Sequence, residues 1–124
     1  MLQALWSLEV LRADAALPAG VLVFHLRRVF GDYYQEGRLF GGDSHCHYVG
    51  EYRIENLGLT GRFTVIRHGG VEPTPFGANE RHDVAFSAVL DATLERDVLL
   101  LDAVVDGDEA RPLTLRLTKR TPLA

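Results

Sequence analysis

Between Cys46 and Glu55 apolar and polar positions alternate. Cys46, Tyr48, Gly50, Tyr52 and Ile54 fall on one side, and His47, Val49, Glu51, Arg53 and Glu55 on the other. A period of two sustained over this length predicts a strand, beginning at His45, with one wet face. The same alternation recurs along the chain. Ala4 to Leu11 places Trp6, Leu8 and Val10 together. Gly20 to Phe30 aligns Leu22, Phe24, Leu26 and Phe30, broken only by Arg28. A short third strand lies within Tyr33 to Phe40. Leu59 to His68 aligns Leu59, Phe63 and Val65, and Arg81 to Thr93 aligns Val84, Phe86, Ala88 and Leu90. Val98 to Val105 is almost wholly apolar, and Pro112 to Arg120 turns Leu113, Leu115 and Leu117 inward.

The connections carry turn chemistry. Asn56-Leu57-Gly58 reads as a hairpin turn. Gly69 to Asn79, rich in glycine and proline, reads as a loop. Arg12 to Pro18 reads as a loop whose alanines form at most a short helical turn. Roughly eight strands at ~8–12-residue spacing predict a sandwich or barrel, and a barrel of this size is either filled by side chains or holds one small ligand. The expected interior, and the ligand-binding residues if a ligand enters, are Trp6, Phe24, Tyr48, Tyr52, Phe63 and Phe86.

At 124 residues the chain fits one domain, 1–124, long enough to bury a core without metal or disulfide staples. The formal charge of -4 argues against nucleic acid as a direct partner. A single cysteine, Cys46, excludes an internal disulfide and suits a reducing compartment. The N-terminus lacks a basic region and Glu9 interrupts its apolar run, so no signal peptide is expected. No apolar run approaches the ~20 residues of a membrane-spanning helix. A cytoplasmic protein is the expectation.

Little in the chain resembles catalytic machinery. His45 and His47 share a strand face, but zinc needs three or four ligands and Cys46 points the other way. A cysteine among tyrosines behaves as a small hydrophobe. Glu51, Glu55, Asp83 and Asp97 fall on outer faces or in turns. No nucleophile elbow, phosphate loop or dinucleotide fingerprint is present. Gly41-Gly42-Asp43-Ser44 reads as a structural turn built on Gly41, Gly42 and Asp43. We therefore expect no enzyme, no metal and no cofactor.

Two features suggest partners. Val98 to Val105 offers apolar residues on both faces, so one face is exposed unless another chain covers it. We assign Leu99 and Leu101 to the outer, partner-contacting face of a homodimer. The adjoining turn, with Asp106, Asp108 and Glu109, is acidic and available to a basic partner surface.

Several segments together resemble the GrlR family, small negative regulators of type III secretion gene expression. They are Ala4-Leu5-Trp6-Ser7-Leu8-Glu9-Val10, Gly20-Val21-Leu22-Val23-Phe24, Gly37 to Ser44 with its Gly-Gly-Asp-Ser, Tyr48-x-Gly50-x-Tyr52, Val65-Ile66-Arg67-His68 and Phe76-Gly77. The resemblance runs from about Leu5 to the last strand. It implies an up-and-down, lipocalin-like antiparallel β-barrel with an apolar interior and a tendency to dimerise. It also implies a regulator that binds a transcriptional activator rather than DNA. Against that pattern, His25 to Glu36 reads as an insertion carrying Arg27, Arg28, Tyr33 and Tyr34. The alternative function is a carrier of a small apolar molecule or lipid in the barrel interior.

Overall fold

A computed structural model describes residues 2–12, 15–31, 34–70, 74–77, 80–90, 97–106 and 112–122. They form eight strands: β1 (Ala4–Arg12), β2 (Ala15–Phe30), β3 (Tyr34–Gly42), β4 (Cys46–Glu55), β5 (Gly58–Arg67), β6 (Arg81–Val89), β7 (Val98–Val105) and β8 (Leu113–Pro122). Each strand pairs antiparallel with the next, and β8 returns to β1, closing an up-and-down barrel. Closure removes the free edges that an open sheet would present. On the outer face of the closing seam, Arg116 grips Glu9 with two parallel hydrogen bonds, Nε to Oε1 at 2.9 Å and Nη2 to Oε2 at 3.0 Å.

The alternation in β4 has the expected phase: Cys46, Tyr48, Tyr52 and Ile54 are buried, and His47, Val49, Glu51 and Arg53 are exposed. Large and small residues alternate around the inside of the barrel. One belt runs Gly37, Tyr52, Gly61, Phe86, Ala103 through successive paired positions. A methyl group on Gly61 would lie 2.5 Å from Phe86 Cζ and 2.6 Å from the Glu51 carbonyl oxygen. Glycine there lets the neighbouring ring lie across the strand, a use of strand glycine that also bends the sheet.

Three expectations need correction. The segment from Arg12 to Pro18 is not a loop, because Ala15 to Pro18 begin β2 and pair with β1. Pro18 sits opposite Glu9, where the register shifts by a bulge, a position that tolerates a residue without an N–H donor. The expected strand from Gly20 does run to Phe30, and β3 starts at Tyr34 to extend one hairpin, but the inward face expected of β2 is not continuous. A second bulge between Leu26 and Arg28 breaks the inside-outside alternation. Phe30 is therefore 54% exposed rather than in the core, and packs against Tyr34 at 5.4 Å between ring centroids.

The third correction is in β7. Leu101 is only 1% exposed and Leu99 packs against the core, because Leu101 pairs with the inward Leu115 and Leu99 with Leu117. Val98 and Leu100 are the outward apolar residues, Leu100 being 59% exposed. Leu99 and Leu101 cannot be the partner-contacting pair in this fold.

Candidate functional site

The six aromatic residues expected inside are all buried, and their rings meet in two groups. Trp6 lies 6.3 Å from Phe24, and Phe24 stacks on Tyr52 at 5.1 Å with 23° between ring planes. Tyr48 meets Phe63 at 5.9 Å, and Phe63 meets Phe86 at 6.1 Å. The sequence reading missed a seventh ring. Phe76, in the Thr74–Gly77 turn, points into the barrel end and meets Tyr48 and Phe63 edge-on at 6.2 and 5.9 Å. At the opposite end the Lys119 ammonium sits over the Trp6 ring at 5.3 Å, a cation–π contact. Aromatic side chains thus line the barrel interior in two clusters, with Phe76 toward one end and Lys119 over Trp6 toward the other.

The few polar groups inside have mainly structural work. Trp6 Nε1 donates to the Leu2 carbonyl at 2.9 Å. The Tyr48 hydroxyl hydrogen-bonds with the Ala19 carbonyl and lies 2.8 Å from Asp43 Oδ2. Burial holds the Tyr48 phenol well above the usual tyrosine range, reinforced by the Asp43 carboxylate. Burial alone pushes Tyr52 up to about 12. The Cys46 thiol is likewise raised, by burial first and then by Asp43, with Arg67 opposing. A thiol so placed is a poor nucleophile at neutral pH.

The Gly41-Gly42-Asp43 turn is built as its composition suggests. A side chain on Gly41 would run into the Val21 carbonyl group across β2. Asp43 Oδ1 accepts from the backbone N–H of both His45 and Cys46 at 2.8 Å, and its other oxygen meets Tyr48. Burial of the carboxylate opposes its charge. The hydrogen bonds from His45, Tyr48 and Cys46 outweigh that effect and hold its pKa below the ordinary aspartate value.

The remaining candidates do not converge. Asp106 is exposed and its N–H donates to the Asp83 carbonyl at 2.8 Å, while Asp108 and Glu109 lie outside the described residues. His47 stacks on His68 at 5.7 Å rather than joining His45. Among the described residues no three of His, Cys, Asp and Glu gather as a metal site would need.

The shaped surface lies outside the barrel. A concavity of about 1190 Å³ spreads over the outer face from β3 to β6 and reaches the far end of β2 and the edge of β7. Its lining includes the belt glycines Gly37 and Gly61 and, between the outward side chains, the inward residues Tyr52, Phe63, Val84 and Phe86. Its outward side chains form two cross-strand rows. One runs Arg28, Glu36, Arg53, Thr60; the other runs Arg38, Glu51, Arg62, Ala85. Arg27 and Arg81 also line it, with Asp83 and Asp106. The ion pairs within it are long and exposed, Arg28 to Glu36 at 3.9 Å and Arg81 to Asp83 at 3.8 Å. Parity placed Arg53 and Arg62 outside, but it put Arg28 on the inward face of its strand, which the bulge between Leu26 and Arg28 reverses. Convergence of the arginines depends on strand pairing between distant segments, which alternation within a strand does not report.

No protein-family model matches this chain, and no curated protein matches it.

Proposed function

We propose that this protein is a non-enzymatic regulator that acts by binding another protein, a transcriptional activator, in the cytoplasm. The resemblance to the GrlR family supplies the class of partner. The observation that carries the reading is the aromatic filling of the barrel. A carrier encloses its ligand in a cavity of roughly 300 Å³ or more, whereas here seven buried rings in two clusters occupy the interior, and the large concavity is lined mainly by outward side chains, with Tyr52, Phe63, Val84 and Phe86 beneath them. The filled interior therefore supports the regulator over the carrier. Self-association, in this reading, uses the outward Val98 and Leu100 rather than Leu99 and Leu101.

Comparing transcripts in cells with and without the protein tests the proposal. A restricted set of genes is expected to change when the protein is removed and to return when it is restored. An unchanged transcript profile, under conditions where the protein is made, would remove the regulatory role.

A further inference from the structure

We infer that the external groove over β3 to β6 binds an acidic, extended segment of a protein partner, with carboxylates at alternate positions. The inference rests on the partner-binding reading above and names the chemistry of the partner. It starts from how charge is distributed. The chain carries thirteen basic and seventeen acidic residues. Six of the basic ones, all arginines, line the groove beside only four carboxylates, Glu36, Glu51, Asp83 and Asp106. The groove is therefore locally cationic on a chain whose remaining residues are predominantly anionic. Such segregation focuses a positive field on one concave surface and draws an oppositely charged partner there.

The kind of cation points to carboxylates. Twelve of the thirteen basic residues are arginine and one is lysine. The guanidinium fork matches a carboxylate with two parallel hydrogen bonds, as Arg116 and Glu9 do on this barrel. Arg38, Arg53 and Arg62 have no ion pair within 4.0 Å among the described residues, Arg53 being held only by a hydrogen bond to the neutral Tyr34 hydroxyl.

Spacing points to an extended segment. Arg38 faces Glu51 and Arg53 faces Thr60, while Glu51 also faces Arg62. Arg38 and Arg62 thus share a row two strands apart, and Arg53, two residues along β4 from Glu51, is a diagonal neighbour of each. Diagonal neighbours on a sheet lie ~7–8 Å apart, close to the ~6.6–6.8 Å between alternate residues of an extended chain. An acidic segment lying over this triangle presents alternate carboxylates to Arg53 and to a diagonal neighbour, Arg38 or Arg62. Glu36 and Glu51, set between the arginines, repel acids placed out of step and so fix the register. A nucleic acid is a poorer match, since the anionic remainder of the chain would repel its phosphates beyond the groove.

Fluorescence anisotropy tests this with a labelled eight-residue peptide alternating glutamate and threonine. The comparison probes are a peptide of the same composition with its glutamates contiguous and an eight-nucleotide oligo-dT. Wild-type protein is expected to bind the alternating peptide most tightly of the three, and more weakly as salt rises. Arg53→Glu with Arg62→Glu should weaken that binding by about tenfold or more, whereas Arg120→Gln, on β8, should leave it unchanged. Should charge reversal disturb folding by circular dichroism, Arg53→Gln with Arg62→Gln provides the same comparison. The inference is overturned if the wild type fails to bind the alternating peptide, if the folded double variant binds like wild type, or if either comparison probe binds more tightly. Transcript changes on removing the protein, together with any of these results, would retain the regulator and discard the groove.

Discussion

Replacing Tyr52 with alanine is expected to lower the unfolding free energy by about 3–5 kcal/mol, the cost of a large-to-small change in a close-packed core. The ring is buried, stacks on Phe24 and lies between two belt glycines, Gly37 and Gly61. Glycine has no side chain to move into the space, so the cavity stays open and the upper part of the range applies. The neighbouring Arg53→Ala removes an exposed side chain and should change stability by less than about 0.5 kcal/mol. Urea unfolding of both variants checks the pair. A greater loss from Arg53→Ala would reverse the inside and outside of β4 and invalidate the interior described here.

The second large effect belongs to Asp43. Asp43→Ala leaves the N–H groups of His45 and Cys46 without their acceptor and removes one partner of the buried Tyr48 hydroxyl. A loss of about 2 kcal/mol follows for a network that water still partly reaches. Its pH dependence has a definite sign. The folded protein holds this carboxyl below the ordinary value of 3.8. The stabilisation from ionisation is therefore complete above about pH 4 and is lost as the pH falls through the lower, folded value. Melting experiments between about pH 7 and pH 2.5 should show the difference between wild type and Asp43→Ala shrinking at the acid end. A constant difference throughout would mean that the charge of Asp43 contributes nothing to the turn.

Much of this barrel is legible strand by strand. In β4 the apolar and polar residues alternate without interruption, so Tyr48 and Tyr52 can be placed inside from the sequence alone. In β7 nearly every residue is apolar and no period exists to read. The direction of Leu101 is set instead by its pairing with Leu115 on β8, a neighbour that the local sequence does not identify. The start of β2 was obscured by Pro18, which looks like an interruption yet lies at a bulge that absorbs it. Its far end was placed correctly at Phe30, but the bulge between Leu26 and Arg28 changes which face Phe30 takes. Phe76 was hidden among glycines and prolines because its role depends on where the loop returns, not on the loop's composition.

The external groove was the least legible feature. Arg38, Arg53 and Arg62 each look like an ordinary solvated residue on the wet side of a strand. They become a site only when β3, β4 and β5 are laid side by side, around the side-chain-free positions Gly37 and Gly61. The interior aromatics, by contrast, were identified correctly as a set, but a list of inward residues does not say whether they leave space between them. The ring contacts bear on that question, and the proposed preference for a binding surface over a carrier rests on them.

Native mass spectrometry of the protein, gently purified from cells, tests the filled interior most directly. The polypeptide is expected at its bare mass, alone or in complexes whose added mass is protein. A stoichiometric lipid or other small apolar molecule, retained by the wild type and displaced on denaturation, would contradict the filled barrel and restore the carrier reading.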